Sequence, residues 1–301
     1  MYDILIVGGG TAGLTAAIYS RRAGKTVLVI EGTGFGGQIA SSPLVENYPG
    51  IPAVSGMDYS DALLNQAKNL GAETRFGTVS AVRREEGRFI LTVGKKEFEG
   101  KALILATGVK HRKLGVDREE ALIGRGISYC ATCDGAMFQG KEAAVVGGGD
   151  SALISALYLA GICKKVTVIH RRDQFRAQNA YVEQIRSREN VELALESRVT
   201  ALHGDPLLES VTLTYHDGHT RELPVSGLFV EVGQVPDNGP FRELCYLDAG
   251  GYFAAGEDCQ TKTPGVFVAG DCRAKALRQL TTAAADGSIA ATAACQWLDG
   301  Q

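Results

Sequence analysis

Three features of the sequence predict an α/β fold of two doubly wound, three-layer domains, the second inserted in the first. The chain opens with a strand, a glycine-rich turn, a helix and a second strand. The same four pieces recur with every landmark 139 residues later, so that Gly8 becomes Gly147. A surplus strand near the end must then return to one of the two sheets. The length of 301 residues suits two domains of about 100–200 residues each.

The first strand, Asp3-Ile-Leu-Ile-Val7, is the kind of short aliphatic run that is buried on both faces. It enters Gly8-Gly9-Gly10-Thr11-Ala12-Gly13, followed by a helix over Leu14–Arg22 that stops at Gly24 and a strand over Thr26–Ile30 that closes on Glu31. Gly8, Gly10 and Gly13 with an acid about twenty residues later are a Rossmann-like dinucleotide-binding fingerprint. The glycines let the backbone approach a pyrophosphate at the helix N-terminus, and Glu31 can accept from a ribose hydroxyl.

The second copy runs from strand Ala143–Val146 through Gly147-Gly148-Gly149-Asp150-Ser151-Ala152 and a helix to Ala160, then strand Lys165–Ile169. Gly8, Gly10 and Gly13 map to Gly147, Gly149 and Ala152. Glu31 maps to His170, with Arg171, Arg172 and Arg176 close behind. Losing the acid and gaining cations is the pattern that an adenosine 2′-phosphate requires.

Each half has a closing strand that ends in glycine, Leu103–Gly108 and Leu228–Gly233. The surplus strand is Val266–Asp271, followed by a helix over Leu280–Trp297. Polar connectors at 110–117 and 234–242 cross between the halves, which sets domains at 1–113, 114–242 and 243–301. Elsewhere, Asp58–Leu70 reads as an amphipathic helix with Leu63, Leu64, Ala67 and Leu70 inward, and 73–100 and 191–223 read as short strands with hairpin turns.

Composition excludes several classes. With 31 basic and 34 acidic residues the net charge is −3, so the chain has no general attraction to nucleic acid or to an anionic membrane surface. Its apolar stretch Ile4–Ile18 is too short to span a bilayer, and Met1-Tyr2-Asp3 lacks the basic opening of a secretory signal. A cytoplasmic location is expected. The 7 cysteines are scattered, which argues against a structural disulfide framework there.

One close pair remains, in Cys130-Ala131-Thr132-Cys133-Asp134. Thiols at this spacing can close a small reversible disulfide. Asp134 could hold a proton for a leaving thiolate if burial raised its pKa. The alternatives are an idle pair or half of a zinc site that lacks its second pair, so no metal is expected. Cys163, Cys245, Cys259, Cys272 and Cys295 are expected to pack as small hydrophobes. Trp297 should anchor the last helix, and His111, His203, His216 and His219 should lie on the surface or in turns.

Taken in order, the motifs resemble those of the low-molecular-weight, bacterial-type thioredoxin reductases. They are Gly8 to Gly13, Gly36-Gly37-Gln38, Glu46-Asn47-Tyr48-Pro49-Gly50, Ala106-Thr107-Gly108, Cys130 to Asp134, Gly147 to Ala152, His170-Arg171-Arg172-Asp173, Phe175-Arg176-Ala177, Gly270-Asp271 and Arg278-Gln279. The resemblance covers nearly the whole chain. It implies that 1–113 and 243–301 bind FAD, that 114–242 binds NADPH, and that Cys130–Cys133 is the redox disulfide. Electrons would pass from NADPH through FAD to the disulfide and on to a thioredoxin or thioredoxin-like protein, in a homodimer.

Carried over position by position, the flavin residues are Gly8, Gly10, Gly13, Glu31, Gly32, Thr33, Gly34, Phe35, Gly36, Gly37, Gln38, Asn47, Asp271, Arg278 and Gln279. The NADPH residues are Gly147, Gly149, Ser151, His170, Arg171, Arg172 and Arg176; Cys130, Cys133 and Asp134 are catalytic. The sequence departs from the family at Ala136-Met137-Phe138, where members often carry two aromatics on the surface that meets thioredoxin. Two other readings compete: a related flavoprotein reductase with another acceptor, and a nucleotide-binding sensor without turnover. Retention of both glycine turns, the arginines and the cysteine pair argues against the sensor.

Overall fold

The computed structural model describes residues 1–42 and 44–301. They form two compact units, one of Met1–Ala40, Glu46–Lys110 and Val235–Gln301, the other of Ser41–Val45 and His111–Gln234.

The first unit is built on a seven-stranded sheet in the order Glu73–Phe76, Val27–Glu31, Tyr2–Val7, Lys96–Leu105, Arg88–Val93, Val79–Glu85. Lys96–Leu105 has two partners along one edge. Its first half pairs antiparallel with Arg88–Val93, and Leu103, Ile104 and Leu105 pair parallel with Val266, Phe267 and Val268. The surplus strand therefore joins the first sheet. Strand periodicity sends alternate side chains to opposite faces. Ile4, Ile6, Val27, Val29 and Ile104 pack with helices Thr11–Arg22, Gly56–Asn69 and Leu280–Asp299. Leu5, Leu28, Ile30, Leu103 and Leu105 face Phe89, Leu91, Phe241 and Phe253.

Helix Gly56–Asn69 starts where the Ser55 hydroxyl accepts from the Asp58 N–H at 3.0 Å, an N-cap interaction. Helix Leu280–Asp299 lies close on Thr11–Arg22, because a Cβ at Gly287 would stand 2.3 Å from the Ala12 carbonyl oxygen.

The second unit repeats the plan. Its parallel sheet runs Val191–Ala194, Lys165–Ile169, Glu142–Val146, Gly227–Val230, Ile127–Ser128. One face packs on helices Asp150–Ala160 and Asn179–Arg186 through Val145, Val166, Val168, Leu153, Leu159 and Ile185. The other meets the three-stranded antiparallel sheet Ser197–His203, Ser210–Tyr215, Thr220–Pro224 through Ala144, Ile169, Leu228, Val211, Leu213 and Leu223. In both units helices cover one face of the parallel sheet, and antiparallel strands help to cover the other.

Candidate active site

In the first unit, Gly8 adopts φ +108°, and a Cβ there would stand 2.1 Å from the Ala106 carbonyl oxygen. A Cβ at Gly13 would stand 1.9 Å from the Gly8 carbonyl oxygen. These two glycines are required by the chain's own packing. Gly10 is different. It caps helix Thr11–Arg22 in extended backbone, and an added Cβ would meet nothing nearer than 3.8 Å. Its bare face is open to a group from outside the chain.

Glu31 is buried, and its carboxylate accepts from the Gly9 N–H (2.7 Å), the Thr33 N–H and hydroxyl (2.6 and 2.9 Å) and the Gly34 N–H (3.1 Å). The acid fastens its own loop to the glycine turn. Gly36 donates to the Gly9 carbonyl at 2.8 Å, the Phe35 ring lies against Gly9, and Gly37 approaches Gly10. Thr78 lies beside Gly32, and the Gln38 side chain donates to the Val109 carbonyl.

A second group of the expected residues gathers at the end of strand Val266–Val268. The Asn47 side chain donates to that of Gln279 at 3.2 Å, and Gln279 caps helix Leu280–Asp299 with Thr282 in a reciprocal capping box. Arg278 donates to the Asp271 carbonyl (3.2 Å), and its guanidinium lies 4.2 Å from the Tyr252 ring centre. Asp271 Oδ1 is buried with no hydrogen-bond partner, and burial raises the carboxyl's pKa. An orphaned buried acceptor is costly until a donor reaches it.

Beneath this turn lies an ion network. Buried Asp286 accepts from the Gly270 N–H (2.9 Å), from Arg273 (2.8 Å) and from Lys275 (2.7 Å). Burial alone would raise the Asp286 pKa, but the bonds from Arg273 and Lys275 hold it below the usual carboxylate range.

In the second unit, Gly147 adopts φ +158°, and a Cβ there would stand 2.5 Å from the Glu231 carbonyl oxygen. Gly149 caps helix Asp150–Ala160, and an added Cβ would meet nothing within 4 Å. Ala152 is fully buried and Ser151 exposed. His170 is not one of the cations here. Its ring is buried against Gly148, and burial lowers its pKa, helped by the charges of Arg176, Arg172 and Arg171. Arg171, Arg172 and Arg176 are exposed. The Arg176 N–H donates to the Gly148 carbonyl at 2.7 Å, tying their loop to the turn.

Cys130 and Cys133 are joined in a disulfide, their Cα atoms 5.3 Å apart. Cys130 caps the short helix Ala131–Asp134, and its carbonyl accepts from the Cys133 and Asp134 N–H groups. Asp134 accepts from the Ser42 hydroxyl (3.0 Å) and the Ser128 hydroxyl (2.6 Å), and Ser128 in turn accepts from the Cys130 N–H (3.0 Å). Burial raises the Asp134 pKa despite both serine bonds, so the group retains a proton more readily than a solvated aspartate. Just beyond, Ala136 and Met137 are exposed, while Phe138 is buried edge-on to Phe229, ring centres 5.4 Å apart.

A disulfide beside a proton-holding carboxyl shares its unit with a glycine turn flanked by open cations, and the other unit carries a second such turn. Residues 2–287 match the family model described as pyridine nucleotide-disulphide oxidoreductase. The chain belongs to that family. Among curated oxidoreductases it is 42% identical over 301 residues to a thioredoxin reductase of Listeria monocytogenes, covering 99% of this chain and 94% of that protein. It is 40% identical over 298 residues to a thioredoxin reductase of Bacillus subtilis, covering 97% and 93%. The crystal structure of thioredoxin reductase from Streptococcus pyogenes matches with a TM-score of 0.95 and 37% identity, covering 100% of this chain and 99% of that one. Among the described residues of this oxidoreductase, no helix is long and apolar enough to cross a membrane.

Several residues of this oxidoreductase escaped the sequence reading. Asp286 had a signal, as the lone charge in helix Leu280–Asp299 before its final residue. Ser42 and Ser128 had none, because serine is common and their acceptor is distant along the chain. His111 is neither a turn nor a surface residue: it ends strand Val109–His111, stacks on Tyr129 at 4.8 Å, and burial lowers its pKa to about 4. All five remaining cysteines are buried and free; the Cys272 thiol donates to the Ala269 carbonyl.

Proposed function

We propose that this enzyme is an NADPH-dependent, FAD-containing thioredoxin reductase, a cytoplasmic homodimer that passes electrons from NADPH to the Cys130–Cys133 disulfide and on to thioredoxin or a thioredoxin-like protein. The observation that carries the reading is the Cys130–Cys133 disulfide hydrogen-bonded through its own turn to Ser128 and the buried acid Asp134. FAD, when bound, supplies a two-electron carrier between the pyridine nucleotide and the disulfide.

The residues of the first unit fit such a dinucleotide. Gly10 presents a bare backbone at the helix N-terminus, where a pyrophosphate binds, and the orphaned Asp271 Oδ1 requires a donor such as a cofactor hydroxyl. Asn47, Gln279 and Arg278 are held beside it, and Gly8, Gly13 and Glu31 keep the turn in shape. In the second unit, Gly147, Gly149 and Ser151 would take the NADPH pyrophosphate. Arg171, Arg172 and Arg176 would take the 2′-phosphate, with His170 a neutral support for the turn.

Reduction of Cys130–Cys133 breaks its S–S bond and adds two electrons and two protons, and the dithiol then passes both pairs to a protein disulfide. Asp134 holds one of those protons for the departing thiolate, with Ser42 and Ser128 fixing its carboxyl. Cys133, adjacent to Asp134, is assigned as the sulfur that faces the flavin. The exposed pair Ala136 and Met137 favours a second reading, in which the acceptor is another disulfide protein or a small molecule.

The test is a visible spectrum of the purified protein during anaerobic NADPH titration, with and without thioredoxin. A flavin band should bleach with NADPH and return with thioredoxin. Cys130→Ser and Cys133→Ser should keep the bleaching and lose the return. A colourless protein that cannot be reconstituted with FAD overturns the reading, and bleaching without return in the unaltered protein transfers it to another acceptor.

A further inference from the structure

Glu231 follows strand Gly227–Val230 at its carboxyl end, and its backbone is packed against the second glycine turn: its N–H donates to Val146 at 2.8 Å, and its carbonyl lies over Gly147. The side chain meets one partner. Ser155, on the helix that the turn opens, donates to Oε1 at 2.7 Å, and Oε2 has no hydrogen bond among the described residues. Burial raises the carboxyl's pKa to about 7, against the pull of the Ser155 bond.

The charged groups on neighbouring elements are engaged elsewhere. Asp150 accepts from Gln178, and Glu142, at the far end of the adjacent strand, pairs with Lys164. His170 lies against Gly148 and burial lowers its pKa, and the Arg112 side chain runs beside Gly233. None of them bonds to Glu231.

The winding of the second sheet reverses between Glu142–Val146 and Gly227–Val230. In doubly wound sheets a dinucleotide lies across such a reversal, outside the carboxyl ends of the strands, with its adenosine half over the βαβ unit of the glycine turn. That side carries Arg171, Arg172 and Arg176, and Glu231 stands on the other, the nicotinamide side. An oxidised nicotinamide ring is cationic and a reduced one neutral, so a carboxylate in this place attracts the two unequally.

We propose that Glu231, oriented by Ser155, discriminates oxidised from reduced nicotinamide in this enzyme: ionised it favours the cationic ring, protonated it does not. The proposal rests on the pyridine-nucleotide reading of the second unit. It makes the preference for NADP+ over a neutral-ring nucleotide grow as pH rises through about 7.

Calorimetric titration of the holoprotein between pH 6 and 8.5 tests it, with NADP+, with tetrahydro-NADP as a neutral ring that cannot donate hydride, and with 2′,5′-ADP as a probe without nicotinamide. Both dinucleotides carry the same phosphates, so phosphate titration cancels in their ratio. The preference for NADP+ over tetrahydro-NADP should rise about fivefold across this range, a usual size for coupling between sites. Glu231→Gln should flatten the rise, and Ser155→Ala should move its midpoint upward by removing a bond to the ionised form. Binding of 2′,5′-ADP should be unaffected by Glu231→Gln. A flat ratio in the unaltered protein, or an undiminished rise in Glu231→Gln, overturns the proposal while 2′,5′-ADP still binds. Failure of 2′,5′-ADP to bind, or binding indifferent to Arg171→Ala/Arg172→Ala, overturns the nucleotide reading itself.

Discussion

The turns Gly8–Gly13 and Gly147–Ala152 make the same hydrogen bonds in the same order. Gly8 donates to the Ile30 carbonyl at 2.8 Å and Gly147 to that of Ile169 at 3.0 Å; Leu14 donates to Gly10 at 2.9 Å and Leu153 to Gly149 at 3.2 Å. They differ in what supports the middle glycine. In the first unit the Glu31 carboxylate bonds to the Gly9 N–H, whereas in the second the neutral His170 ring packs on Gly148. One backbone is thus braced by charge-assisted bonding in one unit and by ring packing in the other. Bracing Gly148 with an imidazole instead of an acid leaves the loop after it without a carboxylate to oppose its three arginines. A single exchange at one position in the repeat accounts for the difference in ligand charge that the two units are built to accept.

The sharpest way to break this comparison lies at the third position of each turn. Gly13→Ala drives a methyl to 1.9 Å from the Gly8 carbonyl oxygen. It should cost about 3 kcal/mol or more and deplete bound flavin, as read by denaturant unfolding and by cofactor absorbance. An unfolding midpoint equal to that of the unaltered protein would show that the turn relaxes freely. Glu31→Gln comes next. It removes a buried charged acceptor of four hydrogen bonds and should cost about 1.5–3 kcal/mol. If stability is unchanged, the brace on Gly9 is ornamental.

In the second unit the effect should be on ligand choice. Arg171→Ala/Arg172→Ala should lower the preference for NADPH over NADH at least about tenfold, mainly through KM for NADPH, since each charge-assisted bond is worth about 1.5–3 kcal/mol. These exposed changes should leave stability within about 0.5 kcal/mol. Equal use of both nucleotides by the unaltered protein would break the contrast between the units. The smallest effect belongs to Ala152→Gly, which makes the second turn match the first and should cost about 1 kcal/mol, the helix penalty of glycine.

Much of the fold was legible because its signals are local. The spacing of Gly8, Gly10 and Gly13, its echo at Gly147, Gly149 and Ala152, and the aliphatic runs around them specify strand, turn and helix through backbone sterics within a few residues. The disulfide at Cys130 and Cys133 was readable for the same reason. The surplus strand was readable only as a surplus. Its place beside Leu103–Leu105 depends on where the antiparallel strands 79–93 leave the sheet edge.

What the sequence by itself determined is therefore the local chemistry: two glycine turns, an acid after one and cations after the other, and a thiol pair followed by an aspartate. Tertiary structure alone decided how those groups are spent. Glu31 turns its carboxylate onto its own loop, and burial lowers the pKa of His170 and takes it out of the cation cluster. Ser42 reaches Asp134 across 92 residues. Asp286 collects Arg273 and Lys275 under Gly270, and Glu231 finds Ser155 across 76 residues. Proton affinity and bonding depend on burial and on partners distant along the chain. Neither quantity exists until the sheets have packed, and so neither can be read from spacing.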